Sequence, residues 1–168
     1  MTPVSEAAAH STFVAGPRRI AEAVEGLTEE QLTARARGPA TWSILEIVCH
    51  VADSEIMGAA RFRQALTGSS RQFAYYDQDV WTSSLDSQGR GAGAIDDSLA
   101  VLGSLRRATA SLLMRADPEA MRRTGVHPEH GEMTVVDLLE MYADHCERHR
   151  RQILEIRELL GVPLPAYA

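Results

Sequence analysis

Helical periodicity constrains this chain more than any other feature. Apolar residues recur at steps of three and four through four long stretches, and almost nothing alternates with the two-residue period of a strand. The first stretch runs from about Ser5 to Glu25 and stops near Gly26; Pro17 inside it marks either a kink or the true start of the helix. The second, from about Ser43 to Leu66, opens on Ser43 and Glu46, a pair spaced to cap each other's backbone, and ends before Gly68. Residues 67–94 are irregular, with a short helix expected around Tyr76–Leu85 and a glycine-rich finish, GRGAGA. A third helix is expected from about Ile95 to Ala116, with Asp96 and Asp97 in its first turn and Pro118 just past its end. After the loop PEAMRRTGVHPEHGEM, Thr134 and Asp137 cap a fourth, which continues to Leu160 before Gly161 and Pro163.

A helix with one apolar face must bury it against another element, so four of them predict an all-α four-helix bundle, one domain over residues 1–168. The long connection between the second and third helices leaves room for a crossover. With 45% hydrophobic and 24% charged residues, the chain has the balance of a soluble globular protein, not a disordered one. Its net charge of −6 and the lack of a basic stripe interleaved with aromatics argue against nucleic acid as a partner. No stretch approaches the roughly 20 apolar residues that cross a bilayer, and MTPVSEAAAHSTFVAGP lacks the cationic start and apolar run of a signal peptide. Cys49 and Cys146 are too few for a disulfide framework and suit a reducing compartment. The expectation is a soluble cytoplasmic protein that acts on a small molecule and has no membrane partner.

The histidines break the apolar pattern in an informative way. On the fourth helix the inward seam passes through Val135, Leu138, Tyr142, His145, His149, Gln152 or Ile153, and Ile156. On the second it passes through Ile44, Ile47, His50, Ser54, Met57 and Arg61. Three imidazoles thus stand where hydrophobes are expected, and an unpaired buried polar group costs roughly 1–3 kcal/mol. Each could be a hydrogen-bonded core residue. A shared divalent cation would satisfy all three at once, because side chains four apart project from one side of a helix and neutral imidazole is a favoured ligand. Three protein ligands would leave coordination positions open, as catalytic sites do.

The site is not that of a zinc protease. Those enzymes place glutamate beside a ligand, in H-E-x-x-H or H-x-x-E-H. Here Glu147 takes the middle position of His145-Cys146-Glu147-Arg148-His149 and lies about 200° around the helix from His145. Cys49 and Cys146 read as small buried hydrophobes. Glu46 could orient a ligand or only cap its helix, and Asp53 could support an imidazole or only face solvent. Arg61 could pair with an acid across the bundle or bind an anionic substrate. Tyr75, Tyr76 and Trp81 could line a substrate mouth or simply pack. His127 and His130 are expected in a solvated loop, and His10 is expected to be exposed.

Three runs carry a family resemblance: TWSILEIVCHVADSE, FAYYDQDVW and RRTGVHPEHGEMTVVDLLEMYADHCERHRRQI. They contain W-S-x-x-E-x-x-x-H, R-T-G-x-H-P-E-x-G and H-x-x-x-H. From about Phe13 to Leu160 the chain resembles the DinB-like, YfiT-type superfamily of small bacterial metal-binding bundles. The resemblance implies a metal triad of His50, His145 and His149, a divalent ion such as nickel or zinc, a bundle with a long crossover, and a homodimer. Glu46, Asp53, Arg61 and Trp81 are the residues expected around that triad. Some members of the superfamily transfer low-molecular-weight thiols such as bacillithiol or use mycothiol as a cofactor; others are regarded as metal-dependent hydrolases. The leading expectation is therefore a metal-dependent S-transferase with a thiol co-substrate, in detoxification or stress response. A metal-dependent hydrolase and a non-catalytic metal-binding stress protein stand as alternatives.

Overall fold

The computed structural model describes residues 6–38, 40–162 and 164. Ser5 and Pro163, the expected first-helix start and last-helix stop, lie outside these residues. Four long helices dominate: α1 (Glu6–Val24), α3 (Ile44–Thr67), α5 (Gly93–Leu113) and α7 (Val135–Leu159). Short helices α2 (Glu29–Thr33), α4 (Gln78–Ser84) and α6 (Pro118–Met121) occupy the connections. The two capping pairs read from the sequence form. Ser43 accepts the Glu46 N–H while the Glu46 carboxylate accepts the Ser43 N–H, and Thr134 and Asp137 do the same at the start of α7.

Ties between the helices fix their directions. Arg19 reaches Glu147, and Arg157 donates to the carbonyls of Ala23 and Glu25, so α1 and α7 run parallel. Ser98 lies against Cys49 and Arg106 against Glu55, so α3 and α5 are parallel too. His50 meets His145 while Arg61 meets Tyr142, which makes α3 and α7 antiparallel. Parallel neighbours cannot be joined by a tight turn. After the 24 residues of α3, the chain must return about 36 Å before α5 begins. Residues 68–92 make that crossover.

The buried apolar side chains fall into two clusters. One gathers Ile20, Ile47, Leu102 and Ile153; the other gathers Phe13, Phe62, Leu138 and Tyr142. Between them along every helix sits a polar layer made by Arg106 and Glu55, each 1% exposed. The Arg106 guanidinium donates to Glu55 at 2.8 Å, to the Tyr142 carbonyl at 2.6 Å and to the Phe13 carbonyl at 2.8 Å. The last bond explains how α1 runs uninterrupted through Pro17. Proline has no N–H for the carbonyl four residues earlier, which is that of Phe13, and Arg106 supplies the missing donor. Gly58 lets the Tyr142 ring rest directly on α3; a Cβ there would lie 2.6 Å from Cε1.

One segment expected as loop is a β-hairpin. Strands β1 (Thr124–His127) and β2 (Gly131–Thr134) pair antiparallel, from Thr124 opposite Thr134 to His127 opposite Gly131. With four residues each, the strands are too short to display an alternating pattern. The crossover docks on this hairpin: the Phe73 N–H donates to the Val126 carbonyl at 3.1 Å, and the Phe73 ring covers Gly125.

Candidate metal centre

His50 projects from the second turn of α3, and His145 and His149 from the middle of α7. The seam that these helices share brings the three rings together. Nε2 of His145 lies 3.2 Å from Nε2 of His50 and 3.1 Å from Nε2 of His149, and one ligand atom from each ring falls within 4.8 Å of the others. His50 is 1% exposed and the other two are half-buried.

The opposite edges of the rings are also held. His149 Nδ1 is 3.0 Å from Oε1 of Gln152. An amide oxygen only accepts, so His149 carries its proton on Nδ1 and turns the Nε2 lone pair inward. His50 Nδ1 is 3.0 Å from the Tyr76 hydroxyl, and the Trp42 ring leans on His50 with centroids 4.7 Å apart. Burial pushes the His50 pKa down to about 3, helped by the charges of His149 and Arg148. It pushes His149 down to about 4, with Arg148 adding and the Gln152 bond opposing, and it drives His145 well below its ordinary value. All three rings are neutral near pH 7, the form in which imidazole binds metal. A first-row ion about 2.0–2.1 Å from each nitrogen in a tetrahedral site separates its ligands by about 3.3–3.4 Å. The observed spacings and the all-nitrogen donor set fit such an ion.

A cavity of about 770 Å³ opens onto the triad, lined among others by Trp42, Ser54, Arg61, Tyr76, His127 and Arg148. Of the residues expected around the centre, Arg61 lies in this wall and the rest do not. The Glu46 carboxylate is taken by the Ser43 N–H and by Arg35, at 2.8 and 2.5 Å. Asp53 sits toward Arg90 and Cys49; its carboxyl is raised by burial and eased by Arg90, and the group at His50 Nδ1 is the Tyr76 hydroxyl. Trp81 stands behind Tyr76, with ring centroids 4.9 Å apart. Both cysteines are buried, and burial raises their thiols, Cys146 to about 12, so neither is a thiolate. Gln152 was legible as a helical neighbour three residues after His149. Trp42 and the contact of Tyr76 with His50 had no local signal.

His127 is 5% exposed and belongs to the hairpin, contrary to a solvated loop role, while His130 is exposed as expected. With Glu129 they form a second group whose ligand atoms lie within 4.8 Å. His127 Nδ1 already accepts the Glu129 N–H at 3.2 Å. His10, expected outside, is half-buried.

Comparison with known proteins places this geometry in a family. The sequence pattern of the DinB superfamily matches residues 12–153. A Bacillus mycoides (strain KBAB4) protein provisionally named a metal-dependent hydrolase is 31% identical over 145 residues, covering 86% of this chain and 81% of its own. A protein of the same provisional name from Bacillus cereus (strain B4264) is 30% identical over the same shares. Among solved structures, YfiT from Bacillus subtilis is described as a probable metal-dependent hydrolase with an unusual four-helix bundle topology. It matches with a TM-score of 0.86 and 24% identity, over 97% of this chain and 93% of its own, which establishes the fold.

Proposed function

Because the chain belongs to the DinB superfamily, we propose that it is a metal-dependent enzyme whose His50, His145 and His149 hold one divalent cation, zinc or nickel, facing the cavity. The observation that carries this reading is the convergence of three Nε2 atoms at 3.1 and 3.2 Å on neutral rings. A cation bound there would act as a Lewis acid and lower the pKa of a water or thiol in its open position. The protein's own groups do the rest. Gln152 fixes the orientation and tautomer of His149, Tyr76 orients the His50 ring, Trp42 and Tyr76 wall off part of the solvent, and the cavity positions the electrophile. Hydrolysis with water as nucleophile is the leading reaction, in line with the names of the relatives.

Transfer of a low-molecular-weight thiol is the second reading. One observation favours it: the three candidate ligands are neutral imidazoles, and among the described residues no carboxylate is hydrogen-bonded to them, so a bound cation would keep its full charge for a thiolate. A coordinated thiol is deprotonated outright. The test starts with untagged protein and elemental analysis, which should find one equivalent of metal per chain, absent in His145→Ala. Metal-reconstituted enzyme is then offered activated esters and amides with and without added thiols. Cleavage without thiol supports hydrolysis, whereas turnover that requires both metal and thiol supports transfer. A wild-type protein that takes up no more metal than His145→Ala would overturn the metal reading.

A further inference from the structure

Three of the core helices each bury an arginine, Arg61 on α3, Arg106 on α5 and Arg157 on α7, and of these Arg61 is the one that lines the cavity. Arg106, 1% exposed, is matched by the carboxylate of Glu55 and by two carbonyls. Arg61, 5% exposed, is met by neutral groups. Its Nη1 donates to the Tyr142 hydroxyl at 2.9 Å and its Nη2 to the Ala74 carbonyl at 3.0 Å; its Nε is buried without a hydrogen-bond partner. Among the described residues no carboxylate oxygen lies within ion-pair distance of it. A guanidinium cannot shed its proton, so this charge is permanent. Leaving a buried charge uncompensated is strongly unfavourable.

Arg61 lines the same cavity as the triad. Tyr142, whose hydroxyl accepts from Arg61, has its ring centroid 6.4 Å from that of His145, so a single tyrosine separates the guanidinium from the metal centre. The acids on this cavity, Asp77, Asp79 and Glu129, belong to the crossover and the hairpin turn, and Asp77 is already engaged in capping α4.

We propose that Arg61 is an anion-docking residue: the small molecule that enters this cavity carries a carboxylate, sulfonate or phosphate group that pairs with Arg61 while its other end reaches the histidine triad. The inference names the substrate class for the site described above. It does not need the cation to be present, since the counterion deficit belongs to Arg61 itself. A forked guanidinium suits a planar or tetrahedral oxyanion, which it can contact through two N–H groups.

Methanesulfonate, an oxyanion that ligates metals poorly, is a suitable probe, titrated by calorimetry and by the fluorescence of Trp42 and Trp81 into wild type, Arg61→Gln, Arg61→Lys and His145→Ala. Wild type and His145→Ala should bind alike. Arg61→Gln should bind about 10- to 100-fold more weakly, as for loss of a charged hydrogen bond, with Arg61→Lys between them. If Arg61→Gln does not fold, Arg61→Lys decides, because it keeps the charge and loses only the fork. No binding by wild type, or equal binding by wild type and both Arg61 variants, overturns the proposal. So does binding lost in His145→Ala but kept in the Arg61 variants, which would make the metal the receptor for the anion and leave the metal reading standing. Equal metal content in wild type and His145→Ala would sink the metal reading and leave the docking result untouched.

Discussion

Among the described residues, two groups of side chains could hold a metal ion, and they are built on opposite plans. His50, His145 and His149 come from the interior of two helices of 24 and 25 residues, each started by a capping box and packed along its length. His127, Glu129 and His130 come from four consecutive residues around a hairpin turn, with two of the three exposed. Both satisfy the same distance criterion. What separates them is what holds the donor atoms. In the first group, partners behind the rings of His50 and His149 leave the Nε2 atoms aimed at a common point; in the second, His127 spends a nitrogen on its own turn. Proximity brings ligands together, but packing and hydrogen bonds on the far side turn proximity into a site.

The strongest way to break this contrast is to exchange its members. His145→Ala should abolish stoichiometric metal uptake in equilibrium dialysis, and His127→Ala should leave it at one equivalent. Equal losses would mean that the hairpin binds metal as well as the bundle does. Next come the groups behind the rings. Tyr76→Phe and Gln152→Ala should each weaken metal affinity by roughly 10- to 100-fold, read by competition with a chromogenic chelator, while Glu129→Ala should have no effect.

Titration of the metal-free protein sharpens the comparison on another axis. The folded-state pKa of His50 is about 3 and that of His149 about 4, both below the ordinary 6.5. Between those values the unfolded chain binds protons that the folded chain refuses. Stability from this source is complete above about pH 6.5 and is lost as pH falls toward 4. Calorimetry of chelator-treated protein should therefore show Tm dropping through that window, and His149→Gln should flatten the slope. His127, pushed down to about 4 chiefly by burial and then by Arg61, adds to the same slope from the second group. The smallest effect belongs to His130→Ala, which is exposed and should change stability by no more than about 0.5 kcal/mol in denaturant unfolding.

Much of this was legible in the chain itself because helices write their environment into a local period. The inward seams of α3 and α7 picked out all three imidazoles, and Ser43 with Glu46 and Thr134 with Asp137 marked the helix starts. For Glu46 and Asp53 local spacing left two roles open, and tertiary contacts separate them: Glu46 caps its helix, one of the two roles read for it, and also pairs with Arg35, while Asp53 lies partly buried toward Arg90 and Cys49. The hairpin escaped notice because its strands are four residues long and depend on a crossover segment, Arg71 to Phe73, far away in sequence. Tyr76 and Trp42 act on His50 through tertiary packing, which no spacing reports.

The route from α3 back to α5 has a consequence of its own. An extended strand of about 11 residues would cover that return, and the chain uses residues 68–92, more than twice as many. The surplus runs along the cavity beside the triad, and from it come Tyr76, the carbonyl that accepts from Arg61, and α4. A detour demanded by geometry has become a wall. Trimming it to the minimum would preserve a connected bundle while stripping the chamber of one side.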